Sequence, residues 1–168
     1  MTISRWRRLL RHLAWPSWRV RRALDAAVLD AIAASIAAGE RRHEGELRFV
    51  IEGGLPLAEL LAGTSPRARA AALFARLGVW DTERNTGVLV YVGLADRAVE
   101  IVADRGVAAA VGAARWAGIC AAMQASFARA DWRGGAEVGL GAIHDALAEV
   151  APARPGNPNE LPDRPVLL

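Results

Sequence analysis

Two hydrophobic periods run along the chain, one close to 3.6 residues and one of 2. Trp6, Leu9, Leu10 and Leu13 recur at helical spacing, with Arg5, Arg8, Arg11 and His12 on the opposite face. Arg5–Ala14 is therefore expected to be a short amphipathic helix that ends at Pro16. Ser17 is placed to cap a longer helix to Ala38, with Val20, Leu24, Val28, Ile32 and Ile36 as its apolar stripe and Gly39 as its C-terminal cap. Leu47, Phe49 and Ile51 alternate with Arg48, Val50 and Glu52, the pattern of a strand with one drier face. Leu57–Ala62 reads as a short helix. Ser65-Pro66 opens another, Pro66–Leu77, with Leu73, Phe74 and Leu77 inward.

Gly87–Leu94 is nearly all apolar and is expected to be a central strand buried on both faces. Ala95-Asp96-Arg97 links it tightly to a strand at Ala98–Asp104, which makes the pair an antiparallel hairpin. Gly106–Gly112, Ala117–Ala130 and Gly135–Val150 read as helices, the second lined by Ile119, Met123 and Phe127 and the third by Val138, Ile143 and Leu147. Ala151–Leu168 holds most of the eight prolines and is expected as a tail without regular structure. The result is an α/β chain in three parts: a basic amphipathic arm (1–16), one domain with a small mixed sheet covered by helices on both faces (17–150), and a Pro-rich tail (151–168).

Topology gives these strands a consequence. A strand–helix–strand unit is normally parallel, so the strands at Leu47–Glu52 and Gly87–Leu94 start at one edge of the sheet, and the hairpin returns its last strand there. His43-Glu44-Gly45-Glu46, Asp81-Thr82-Glu83-Arg84-Asn85 and Asp104-Arg105-Gly106 should then share one rim. Asp81, Glu83, Asn85 and Asp104 offer hard oxygen atoms suited to Ca²⁺ or Mg²⁺. His43 and Glu46 stand near enough in the chain to be candidate general bases for any hydrolysis. The alternation Asp81-x-Glu83-x-Asn85 resembles the start of an EF-hand loop, but Val92 stands where its closing glutamate belongs. The other reading of the same segment is an ordinary Asx-capped turn with salt bridges to Arg84 and Arg105.

Other chemistries find no support. There is no lysine for a phosphate loop, no second Glu-x-x-His to match Glu40-x-x-His43, no spaced Cys/His zinc set, and no glycine fingerprint after a strand. His144 is expected at the surface or the core edge, and the lone Cys120 in the core. With 168 residues, 53% of them hydrophobic, the chain suits one domain. Arg11 and His12 interrupt the only apolar run near the N-terminus, and no run is long enough to cross a bilayer, so the cytoplasm is expected.

The net charge of +3 is unevenly spread, because arginines crowd the first 22 residues. Arg5, Trp6, Arg8, Arg11, Trp15 and Trp18 form a candidate contact with an anionic membrane surface, the inner face of the membrane in a cytoplasmic protein, or with a membrane-protein complex. The alternative is that the apolar face packs on the domain or on a partner chain. Nucleic acid is not expected, since no recognition fold accompanies the arm.

Val79-Trp80-Asp81-Thr82-Glu83-Arg84-Asn85-Thr86-Gly87-Val88-Leu89-Val90-Tyr91, followed by Ala95-Asp96-Arg97-Ala98-Val99-Glu100-Ile101-Val102-Ala103-Asp104-Arg105-Gly106, resembles the TPM domain family. That family is named for a plant thylakoid-lumen phosphatase, a photosystem II repair protein and a nematode receptor modulator. Glu40–Phe49 and the closing Asn159-Glu160-Leu161-Pro162-Asp163 resemble its short bacterial branch. The resemblance implies a Rossmann-like α/β/α sandwich, divalent-cation binding in some members and acid phosphatase activity in some. Two functions follow as expectations: a cation-binding domain with phosphomonoester hydrolase activity, or a non-enzymatic module that helps assemble or maintain a membrane complex.

Overall fold

Glu46–Glu52 (β1) runs parallel to Gly87–Gly93 (β2), in register from Glu46 opposite Gly87 to Glu52 opposite Gly93. Ala98–Ala103 (β3) returns antiparallel to β2. The computed structural model describes residues 3–156 and 158–168, with the side chains of residues 3–5 and 17 outside that description. Among the described residues there are four strands, in the sheet order β3-β2-β1-β4, and eight helices. The helices are α1 (Ile3–Leu13), α2 (Ser17–Ala23), α3 (Ala26–Glu40), α4 (Leu57–Ala62), α5 (Pro66–Arg76), α6 (Arg105–Val111), α7 (Ala113–Ala128) and α8 (Trp132–Val150).

The fourth strand corrects the expected irregular tail. Val166–Leu167 (β4) pairs parallel with β1, and the Leu168 amide donates to the Ile51 carbonyl at 2.9 Å. An open β1 edge would leave unpaired amides and carbonyls. Pro165 lies just before the strand, so it removes no hydrogen bond from the ladder.

The expected single helix from Ser17 to Ala38 is two helices. Leu24 is extended, and the Asp25 carboxylate accepts a hydrogen bond from Val28 N at 2.9 Å, so α3 starts with its own cap. Pro16, not Ser17, occupies the cap position of α2. The apolar period runs through the break because Val20, Leu24, Ile32 and Ile36 all reach the same core. Gly39 lies within α3 instead of capping it. A Cβ there would stand 2.1 Å from the His144 ring, so the missing side chain lets α3 and α8 close on each other.

One sheet face, carrying Leu47, Phe49, Ile51, Val88, Val90 and Val92, packs against α3, α7 and α8. The other, with Val50, Leu89 and Tyr91, packs on Ala70 and Leu73 of α5 and on Leu161 of the tail. β2 is buried along its whole length, as its composition implies. β1 is drier than its alternation suggests: only Arg48 is half-buried, and Glu46 and Glu52 are inside. Val138, expected inward, is 61% exposed; Leu140 is buried instead, together with the expected Ile143 and Leu147. Each fully buried aliphatic side chain contributes about 1.5–3 kcal/mol, so the two apolar layers anchor the strand ends that carry the polar groups.

Candidate functional site

The three segments expected on one rim meet there. Glu46 N donates to Thr86 O at 3.3 Å, and the Thr86 hydroxyl donates to Glu44 O at 2.6 Å. Asp104 N donates to Gly87 O at 2.9 Å, while Gly87 N returns a hydrogen bond to Asp104 Oδ2 at 2.8 Å. A fourth segment joins them from the tail, where Glu160 Oε2 accepts from Glu83 N at 3.0 Å.

The turn before β2 is built by Thr82. Its carbonyl accepts from Asn85 N at 3.1 Å and its hydroxyl from Thr86 N at 3.0 Å, with Asn85 in the left-handed region at φ 54°. Asp81, Glu83 and Asn85 are thereby left exposed. Neither arginine expected to neutralise them does so among the described residues: Arg84 pairs with the buried Glu44 at 3.3 Å, as does Arg154 at 3.4 Å, and Arg105 forms no ion pair. Among the described residues, none of Asp81, Glu83 and Asp104 forms an ion pair. Burial raises the Asp104 carboxyl, and the Gly87 N–H partly offsets this. These oxygens have the chemistry a hard cation takes. Among the described residues, however, no three His, Cys, Asp or Glu side chains converge as ligands. Asn85, backbone carbonyls and water would have to complete a coordination shell.

The two candidate bases lie beneath this surface. His43 is 0% exposed. Its Nδ1 accepts from Gly45 N at 3.1 Å, so its Nε2–H donates to His144 Nδ1 at 2.7 Å. His144 Nε2 finds no hydrogen-bond partner among the described residues. Burial pushes each imidazole down to about 4, reinforced at His43 by His144 and at His144 by Arg42. His144 is thus a core residue, not a surface one, and Gly39 makes room for it.

Glu46 is 1% exposed. Its Oε2 accepts from Glu160 N and Leu161 N, both at 3.0 Å, and its Oε1 has no partner. Neither group presents an open atom to a substrate on the rim. Sequence reasoning missed Glu40 beside them. It is 6% exposed, with Oε1 accepting from Leu47 N at 2.8 Å and Oε2 unpartnered. Burial, with Glu46 and Asp163 adding to it, pushes its carboxyl up to about 8 against the pull of the Leu47 N–H. The available signal was Glu40-x-x-His43 at the end of an apolar helix, which places both side chains against the same core.

The arm sits at the opposite end of the sheet, basic side inward. Arg8 forks onto Asp96 in the β2–β3 turn at 2.7 and 3.0 Å, and also donates to Thr64 O at 2.7 Å. Arg11 reaches Asp96 at 3.9 Å. His12 Nδ1 accepts from Leu55 N at 2.9 Å, and its Nε2 lies 3.1 Å from Asp96 Oδ1, outside good hydrogen-bond alignment. Burial alone would raise Asp96, but Arg8 and His12 outweigh it and hold the carboxyl low. The apolar side faces out: Trp6 is 54% and Leu10 63% exposed, and Leu13, Trp18, Leu57 and Leu61 are also exposed. Trp15 is half-buried beneath the Arg19 guanidinium. The Arg5 side chain lies outside the described residues.

With this geometry in place, comparison decides the family. A family model of the TPM domain matches residues 21–146, from α2 into α8. The chain belongs to the TPM domain family. The BA42 protein from the psychrophilic bacterium Bizionia argentinensis sp. nov., solved by NMR, is similar in structure, with a TM-score of 0.75 at 26% sequence identity. The likeness covers 86% of this chain and 95% of that one. No curated protein matches the chain. The TPM match includes β1, β2, β3 and three of the four rim segments, and leaves α1, the Glu160 segment and the closing β4 strand outside it.

Proposed function

We propose that this TPM domain is a divalent-cation-binding module, with Ca²⁺ or Mg²⁺ held on the rim by Asp81, Glu83, Asn85 and Asp104. One observation carries the reading: the Asp81–Asn85 turn and Asp104 flank Gly87 at the start of β2, and Arg84 is committed to Glu44. The helices packed on both faces of the sheet support a Rossmann-like α/β/α sandwich as the scaffold. A cation here would suit phosphomonoester hydrolysis, by polarising a phosphoryl oxygen. His43 and Glu46 are engaged in the core, so neither would serve as the proton acceptor in such a reaction. Calorimetric titration with Ca²⁺ and Mg²⁺ tests the reading. Binding that disappears in Asp104→Asn and in Asp81→Asn/Glu83→Gln supports it, and no heat at millimolar cation removes it. Turnover of p-nitrophenyl phosphate, with and without cation, separates a hydrolase from a binding module.

A second reading has its own observation. The outward apolar side of α1, with Trp6, Leu10 and Leu13 flanked by the arginine-rich stretch, supports a non-enzymatic role at an anionic membrane surface or on a membrane complex. Contact would then run through the tryptophans and leucines, because Arg8 is committed to Asp96. Co-sedimentation with vesicles containing phosphatidylglycerol, for the full chain against Trp6→Ser/Leu10→Ser, decides it. Equal binding by both removes the arm from the account.

A further inference from the structure

A second concavity lies far from the acidic rim, at the carboxyl ends of β1 and β2. The link between α1 and α2, the β2–β3 turn and the end of α7 enclose a cleft of about 850 Å³, well within the size range of small-molecule pockets. Its floor is apolar: Val92, Leu94 and Val99, with Phe127 stacked on Trp132 at 5.2 Å between ring centroids. Beneath these two rings a smaller void of about 10 Å³ reaches Phe49 and Ile51, so the floor is not fully packed. Short side chains, among them Ala98, Ala125 and Ala128, keep the walls apart.

The mouth has one sign of charge. Arg11, Arg19 and Arg97 line the cleft, and among the described residues no Asp or Glu does. Arg19 is held in place, donating to Ala14 O at 2.7 Å with its guanidinium 5.4 Å from the centre of the Trp15 ring. That arrangement leaves further guanidinium N–H groups to meet an anion. Arg97 has φ 53°, a backbone conformation unfavourable for a side chain of this size, at the corner where the turn meets the cleft. Among the described residues, Gln124 is the only lining side chain that can accept a hydrogen bond. A sugar or a base edge is usually met by side-chain acceptors as well as donors, and here Gln124 alone among the described lining residues supplies one. An apolar chain needs neither.

We propose that the cleft binds a single-chain anionic amphiphile, its carboxylate or phosphate head among Arg11, Arg19 and Arg97 and its acyl chain over Val92, Phe127 and Trp132. The proposal is independent of the cation reading, because no residue of the rim lines the cleft.

The test titrates the full chain with laurate, dodecyl phosphate, dodecyltrimethylammonium and decyl maltoside, each below its micelle concentration. Tryptophan fluorescence and calorimetry report binding. The expected result is one-to-one binding of either anionic probe, at least about tenfold tighter than the cationic and neutral probes. Laurate against dodecyl phosphate tells a fatty-acid preference from a phospholipid-derived one. Arg19→Gln/Arg97→Gln should weaken anionic binding by at least about tenfold, and Ala128→Trp, which fills the cleft from an exposed helix position, should abolish it. Both variants must melt within a few degrees of the parent; one that does not is replaced by Ala125→Trp. The proposal fails if binding ignores head-group charge, if it survives both variants, or if only phosphatidylglycerol vesicles bind and single chains do not.

Discussion

Glu46 and Glu52 open and close the same strand, both buried, in opposite surroundings. Glu52 has a complete set of partners: Arg69 forks onto both its oxygens at 2.7 and 3.0 Å, and the Tyr91 hydroxyl donates to it at 2.9 Å. Its negative charge raises the Tyr91 phenol above the ordinary range, after burial itself. Glu46 has backbone amides on one oxygen and nothing on the other, with the protonation-prone Glu40 nearby. Burial raises both carboxyls at that end. A buried acid is tolerated either by a matched cation or by keeping its proton, and the two ends of β1 use one solution each.

The largest effect should come from breaking the matched end. Arg69→Ala strips Glu52, which is only 2% exposed, of its counter-charge, at a cost of about 3–5 kcal/mol. Urea denaturation at pH 7 measures it. Glu46→Gln keeps an acceptor for the Glu160 and Leu161 amides and should change stability by less than about 1 kcal/mol. If the two variants cost the same, the contrast between the ends is wrong.

Next in size is a pH dependence that belongs to the unmatched end alone. Glu40 has a folded value near 8, above its ordinary 4.5, so its contribution is complete below pH 4.5 and is lost as pH rises through 8. His43 and His144 have folded values near 4, below their ordinary 6.5, so theirs is complete above pH 6.5 and is lost as pH falls through 4. Between pH 4.5 and 6.5 the two histidines are opposed by Glu40 and by Glu46, whose carboxyl burial also raises. Above pH 6.5 the histidines no longer contribute a slope, so stability should decline toward pH 8, at up to about 1.4 kcal/mol per pH unit per group. Glu40→Gln should flatten the alkaline decline and add about 2–3 kcal/mol at pH 8.5. Denaturant midpoints across pH 4–9 show whether it does.

How much of this could be read from the chain depends on distance in sequence. The rim was legible, because a parallel β1–β2 pair and a tight Ala95–Arg97 link leave Glu46, Asp81–Asn85 and Asp104 nowhere else to go. The chemistry around it was not. That His43 meets His144, that Glu40 lies beside Asp163, and that Arg84 chooses Glu44 over Asp81 depend on packing between segments far apart in the chain. The arm shows the same limit. Its two faces were plain in the spacing of Trp6, Leu10 and Leu13 against Arg8 and His12, but Asp96, which selects the face that docks, is remote from it in sequence. Hydrophobic pattern alone would have turned the leucines inward.

A smaller effect should follow from releasing that dock. Asp96→Asn loses the charged fork to Arg8 and the field at His12 while keeping one acceptor oxygen, at a cost of about 1–2 kcal/mol. The loss should be local. Amide hydrogen exchange should speed up in α1 and leave β1 and β2 unchanged, since Arg8, Arg11 and His12 all converge on this one carboxylate. Uniform acceleration through the sheet would mean that the arm is part of the core and not a unit laid against it.

The smallest change tests the rim. Asp104→Asn preserves an oxygen for the Gly87 N–H, so without cation its stability should stay within about 0.5 kcal/mol of the parent. Cation separates the two. At ten times its dissociation constant, a cation that binds only the folded chain adds about 1.4 kcal/mol, a shift that thermal melting resolves in a domain of this size. The parent should gain that shift and Asp104→Asn should not. Glu46→Gln should gain it as fully as the parent, because Glu46 is buried beneath the rim, with Oε2 held by the Glu160 and Leu161 amides. A cation shift lost in Glu46→Gln but kept in Asp104→Asn would move the bound ion from the surface turn to the buried carboxyls of Glu40 and Glu46. The unmatched end of β1 would then be matched after all, by a metal in the position that Arg69 fills at the other end.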